Sequence, residues 1–158
     1  MMKRPNILLI LVDQMRAGVL SAYGNAHIHT PALDALVMSG VNFRRAYCAQ
    51  PICVPSRSSM MTGSLPHENG VVLNGSDGAG LKPRPWLGAL MRDAGYTCAY
   101  FGKWNIPLPI EDSARHGFDR MAHVGNNGID DDVAASAQDF LAENHQDPFF
   151  LVASFNNP

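Results

Sequence analysis

Apolar and polar positions along this chain change in blocks. Asn6 to Val12 reads NILLILV, a continuous β-branched and leucine run that stops at Asp13-Gln14. That pattern predicts a strand covered on both faces. Thr30-Pro31 has the form of an N-cap followed by proline at the first helical position, and predicts a helix to about Ser39, stopped by Gly40. Val41 to Cys48 reads as a second strand, and Pro55 opens a short helix closed by Gly63. Residues 64–85 are loop-like, with GSDGAG and KPRP as turn signals. Leu87, Leu90, Met91 and Ala94 carry helical spacing over Pro85 to Ala94, and Tyr96 to Phe101 follows as a strand. Residues 105–128 are irregular. Asp130 to Asn144 predicts an amphipathic helix with Val133, Ala137, Phe140 and Leu141 on one face, and Pro148 to Phe155 a last strand. There is no internal repeat.

Strands alternating with helices imply an α/β fold: a largely parallel sheet sandwiched by helices. Ligands of such sheets collect at the carboxyl ends of the strands. Asp13, Gln14 and Lys103 each follow a strand, and Cys53 enters a helix, so these residues are expected on one edge of the sheet. Composition agrees with one domain and one core: 158 residues, 46% hydrophobic and 16% charged. A net charge of −2 gives no electrostatic reason to expect nucleic acid or an anionic membrane as partner. Lys3-Arg4 before ILLILV could pass for a signal peptide. The apolar run is short, however, and ends in Asp13 with no small-residue cleavage site behind it, which points to a strand in a cytoplasmic protein.

The three cysteines, Cys48, Cys53 and Cys98, show neither a disulfide framework nor a CxxC pair. Cys98 and Cys48 lie in apolar runs and read as small buried residues. Cys53 lies among Pro51, Pro55, Ser56 and Arg57, at the mouth of a helix. Unpaired N–H groups and a partial positive charge make a helix N-terminus receptive to anions. Arg57 falls about one turn on, and its planar guanidinium suits sulfate or phosphate. The same setting would lower the pKa of a thiol, so a thiol-based phosphatase is one reading. Asp13 and Gln14 offer hard oxygens suited to Ca²⁺, Mg²⁺ or Mn²⁺, although an acid after a strand is more often a loop cap. Lys103 by default is a solvated surface residue. The six histidines show no metal-type spacing beyond His27 and His29, which read as a loop. Asp130 to Asp132 reads as the charged first turn of a helix.

CVPSRSSMMTG, residues 53–63, resembles the signature of the sulfatase family, with Cys53, Pro55, Ser56, Arg57, Thr62 and Gly63 in register. RPNILLILVDQ, HTPALDALVMSGVNFRRAYC, LMRDAGYTCAYFGKWN, HGFDRM and PFFLVASFNNP resemble further family segments, so the likeness runs from about residue 4 to 158. It implies an alkaline-phosphatase/sulfatase-like fold, here incomplete, with residues 1–158 as the N-terminal part of a sulfatase catalytic domain. It also implies a formylglycine made from Cys53, whose hydrated aldehyde attacks the sulfur of a sulfate ester. Asp13, Gln14 and residue 53 match family metal ligands, with Ca²⁺ the expected ion. Arg57 and Lys103 match residues that stabilise charge on the transferring group.

Two departures bear on substrate. Asn105 stands where the family commonly has a histidine, and asparagine cannot exchange a proton near neutral pH. Gln14 stands where many members have a second aspartate, as in phosphonate monoester hydrolases and related phosphodiesterases of the same superfamily. Asn74 is a candidate substrate or metal-adjacent contact in that subgroup, or equally a turn asparagine. The expected partner is a small-molecule or carbohydrate sulfate ester. A phosphonate monoester or phosphodiester hydrolase and a truncated, non-catalytic remnant are the alternatives. The incomplete sheet invites self-association.

Overall fold

A computed structural model describes residues 4–75, 78–125 and 129–158 of the chain. Four strands form one parallel sheet: β1 (Ile7–Val12), β2 (Thr97–Gly102), β3 (Arg120–Ala122) and β4 (Phe149–Phe155), in the order β1-β4-β2-β3. Six helices accompany them: α1 (Pro31–Ser39), α2 (Cys53–Thr62), α3 (Pro66–Asn69), α4 (Leu87–Asp93), α5 (Ser113–His116) and α6 (Asp130–Ala142). Two short 3₁₀ turns, Ala17–Val19 and Ser21–Tyr23, follow β1.

The period of two along β2 and β4 divides the core. Cys98, Tyr100, Phe150 and Val152 face one side, with Met61 of α2, Trp86, Trp104 and Phe118. Ala99, Phe101, Phe149, Leu151 and Ala153 face the other, against Val133, Ala137 and Phe140 of α6. This is the sandwich expected from the alternating pattern, and α6 buries the face the periodicity assigned to it, except that Leu141 is exposed.

Three expectations are corrected. β1 was expected to be covered on both faces. Ile7, Leu9 and Leu11 do pack on the α2 side, but Leu8 and Ile10 are 44% and 45% exposed, because α6 lies over β2 and β4. Val41 to Cys48 was expected to be a strand. It is irregular, with Val41, Phe43, Tyr47 and Cys48 exposed, so Cys48 is not a core thiol. Aromatic and β-branched residues favour a pleated surface only when a neighbouring strand completes the ladder, and here none does among the described residues. Residues 105–128 were expected to be irregular, yet they hold α5 and β3. Gly117 lets the chain pass: its φ is +83°, and a Cβ there would lie 2.0 Å from the Ala89 nitrogen of α4. No helix among the described residues is long and apolar enough to cross a membrane.

Candidate active site

Parallel strands bring their carboxyl ends to one edge, and the polar residues gather there. Asp13 follows β1, its N–H donating to the Phe155 carbonyl of β4 (3.2 Å). Lys103 follows β2, its N–H donating to the Ser154 carbonyl (2.9 Å). Gly102 makes this exit possible. Its φ is +98°, and a Cβ there would stand 1.9 Å from the Ser154 oxygen.

The helix of the cysteine begins earlier than the pattern suggested. α2 starts at Cys53, not at Pro55, with Ile52 as N-cap. Cys53 is half-buried in the first turn, and Arg57, one turn later, is buried. Asp13 lies between them and Lys103. Its carboxylate accepts from Lys103 Nζ (2.7 Å) and Arg57 Nη2 (3.3 Å). Cys53 Sγ is 3.7 Å from Asp13 Oδ2 and 4.0 Å from Lys103 Nζ. Four residues named from sequence, spread over ninety positions, thus meet in one cluster.

Burial by itself pushes the Asp13 carboxyl up. The hydrogen bonds and charges of Lys103 and Arg57 outweigh it and hold the group below the usual carboxylate range. One carboxylate therefore faces two cations, so these three side chains carry one positive charge in excess. Beside the cluster lies a cavity of roughly 430 Å³ lined by Asp13, Gln14, Arg16, Cys53, Ser56 and Arg57, with apolar walls from Leu11, Met15, Ile52 and Met60.

Gln14 and Asn105 share a conformation. Both have positive φ, +59° and +44°, which is uncommon outside glycine. Gln14 is exposed at the cavity wall; Asn105 is half-buried and does not line it. Asn74 is engaged in a different way. Its side-chain oxygen accepts from the Val54 N–H (3.0 Å), so it caps the first turn of α2 from outside the helix. One of the backbone donors expected to serve an anion is thereby taken. The Asp13 carboxylate and the Gln14 amide fit a hard divalent cation. They are a partial donor set: no group of three or more His, Cys, Asp or Glu that could hold a metal ion occurs among the described residues.

Two residues escaped the sequence reading. Tyr100 and Ser154 are fully buried in β2 and β4, and both hydroxyls reach Arg57 and Lys103. The available signal was a hydroxyl inside each apolar run, CAYFG and LVASF.

With this geometry the chain was compared with known proteins. The family model described as Sulfatase matches residues 5–158. Steryl-sulfatase of Mus musculus is 34% identical over 143 residues, covering 80% of this chain and 23% of that protein. N-acetylgalactosamine-6-sulfatase of Homo sapiens is 36% identical over 127 residues, covering 73% and 24%. A solved protein in complex with its substrate, D-glucosamine-2-N,6-O-disulfate, superposes with a TM-score of 0.83 at 27% identity, over 99% of this chain and 35% of that one. The phosphonate monoester hydrolase of Agrobacterium radiobacter superposes with a TM-score of 0.78 at 24% identity, over 96% and 40%, a likeness of fold. The chain thus spans about a quarter of the length of these curated relatives.

Proposed function

Because the chain belongs to the sulfatase family, we propose that it forms the N-terminal part of a catalytic domain that hydrolyses sulfate esters at residue 53. The observation that carries this reading is the cluster of Cys53, Arg57 and Lys103 around Asp13, with one uncompensated positive charge at the start of α2. A sulfate monoester brings one negative charge, which the cluster balances. Arg57 and Lys103 hold the oxygens of the transferring group, and their attraction grows as charge builds there in the transition state. Burial strengthens both contacts by removing competing water. The apolar cavity walls receive the alcohol part of the ester, and the saccharide-bound neighbour supports a carbohydrate there.

A formylglycine at residue 53 fits a side chain that opens into the cavity beside two cations, and would supply an oxygen nucleophile in place of the thiol. Asp13 and Gln14 would hold a divalent metal, Ca²⁺ by family resemblance, which would supply further charge neutralisation. Asn105 would act as a hydrogen-bond donor or acceptor near Lys103, and Asn74 as the cap that fixes where residue 53 sits.

The test uses the protein that carries this chain. Hydrolysis of an aryl sulfate is expected to fall by about a thousandfold or more in Cys53→Ala, and by roughly a hundredfold in Lys103→Ala. Peptide mapping around position 53 is expected to show an aldehyde. Full activity in Cys53→Ala with an intact thiol in the parent protein would overturn the reading. A second reading, phosphonate monoester or phosphodiester hydrolysis, draws support from Gln14 at the cavity wall. Faster turnover of an aryl phosphonate monoester than of the aryl sulfate would favour it. The absence of hydrolysis of either substrate would favour a non-catalytic remnant.

A further inference from the structure

β2 and β4 are neighbours in parallel register, with Tyr100 opposite Val152 and Gly102 opposite Ser154. Tyr100 and Ser154 point to the same side of the sheet, the side that carries α2. The ring of Tyr100 is held edge-on by Trp104 (centroids 4.9 Å apart) and Phe118 (5.3 Å). A phenylalanine would fill that space equally well, so the hydroxyl is not there for packing.

Both hydroxyls end on the residues of the site. Tyr100 Oη donates to the Lys103 carbonyl (2.7 Å), and Ser154 Oγ donates to the same oxygen (2.8 Å). Arg57 Nη1 donates to that carbonyl (2.8 Å), to Ser154 Oγ (2.7 Å) and towards Tyr100 Oη (3.3 Å). Ser154 thus grips the Lys103 backbone twice, since its own carbonyl also accepts the Lys103 N–H. The other end of each cation, Arg57 Nη2 and Lys103 Nζ, is left for Asp13.

We infer that Tyr100 and Ser154 are positioning residues for the cation pair: their hydroxyls fix the Lys103 carbonyl and the Arg57 guanidinium, and so set where the two charges stand above Cys53. This rests on the hydrolase reading only for its catalytic consequence. The positioning is a property of the chain itself. A buried guanidinium and a lysine backbone locked by the same two hydroxyls have little freedom to follow an incoming group, so the site is set before it binds.

The chain contains three lysines, Lys3, Lys82 and Lys103. Lys82 is exposed on the surface and serves as an internal reference for amine labelling. In Tyr100→Phe and in Ser154→Ala, native-state labelling of Lys103 relative to Lys82 is expected to rise about threefold to tenfold, as its hold on Asp13 loosens. Ser154→Thr, which keeps the hydroxyl, is expected to stay near the wild-type ratio. Lys82 is exposed whether or not the chain is folded, so global unfolding would raise the ratio only by exposing Lys103 in the unfolded fraction, which urea denaturation measures; a rise no larger than that fraction accounts for, or an unchanged ratio in a folded variant, would overturn the inference. Tyr100→Phe keeps the ring and carries the test if Ser154→Ala does not fold. In the protein that carries the chain, Tyr100→Phe is expected to lower kcat about tenfold with KM little changed. A raised ratio with unchanged kcat would overturn the catalytic consequence. If Cys53→Ala leaves hydrolysis intact, the functional reading falls while the labelling result still stands. If Cys53→Ala abolishes hydrolysis and Tyr100→Phe changes neither quantity, the positioning role falls alone.

Discussion

Gly102 decides the direction in which Lys103 leaves β2. With φ at +98° and the Ser154 oxygen 1.9 Å from an added Cβ, Gly102→Ala must both strain the backbone and push β2 from β4. A loss of more than about 2 kcal/mol is expected by urea denaturation, well above an ordinary surface change. Asp34 shows how a single carboxylate ties a segment. It accepts from Ser21 Oγ (2.6 Å), Thr30 Oγ1 (2.9 Å) and the Ala22 N–H (2.9 Å). The Ser21 bond is the main cause of its lowered pKa, helped by Thr30 and Ala22 against a smaller desolvation effect. A folded pKa below the unfolded one stabilises above the ordinary carboxylate value and is lost as pH falls through the folded value. Amide protection in residues 17–34, taken relative to the intrinsic exchange rate at each pH, is therefore expected to fall on acidification through that range, and Asp34→Asn to remove that fall. The cysteines divide the same way. Burial pushes the Cys98 thiol up to about 11, whereas Cys48 is exposed. Alkylation followed by mass spectrometry is expected to mark Cys48 first and Cys98 last.

At the scale of elements, α2 is the part that places residue 53, and its start is held from outside. Ile52 has no side-chain group to cap it, and Asn74 supplies the missing acceptor to Val54 across twenty residues of chain. Asn74→Ala is expected to cost about 1 kcal/mol, the usual worth of an N-cap, seen as a lower Tm. If Asn74 also touched substrate, KM would rise beyond what that loss of stability explains. α6 makes a parallel case at its own start. Asp130 accepts from the backbone N–H groups of Asn156 (2.7 Å) and Asn157 (3.0 Å), joining the first turn of the helix to the end of β4. The acidic triplet is thus a helix start, as its pattern suggested, with one member that also closes the sheet edge.

The described residues bury an apolar cluster on each face of the sheet and leave several apolar surfaces uncovered. Leu8 and Ile10 on β1, Leu36 and Met38 on α1, and Phe43 and Tyr47 beyond it are all exposed. Patches of this kind favour association. The isolated chain is expected to self-associate as concentration rises in sedimentation velocity, and Leu8→Ser with Ile10→Thr to reduce that association while far-ultraviolet circular dichroism stays the same. Unchanged association in the double variant would place the contact elsewhere, on α1 or the segment after it.

Local pattern was enough for the elements that are self-consistent along the chain. The apolar runs of β1, β2 and β4, the Thr30-Pro31 start of α1 and the face of α6 could all be read directly, because strand and helix periods are written into single segments. The motif around Cys53 named Arg57, the segments RPNILLILVDQ and LMRDAGYTCAYFGKWN named Asp13 and Lys103, and their places at strand ends predicted one shared edge. Other features depended on residues far away in sequence. Val41 to Cys48 had strand chemistry but no ladder partner. Leu8 and Ile10 looked buried until the position of α6 left them open. Asn74 read equally as a substrate contact or a turn asparagine, and its bond to the Val54 N–H is visible only in the fold. Tyr100 and Ser154 were no more than positions in apolar runs until the parallel register set their hydroxyls beside the Lys103 carbonyl. Sequence fixes what a segment prefers and which chemistry it carries; hydrogen-bond partners and burial are properties of pairs, and only the folded chain chooses the pairs.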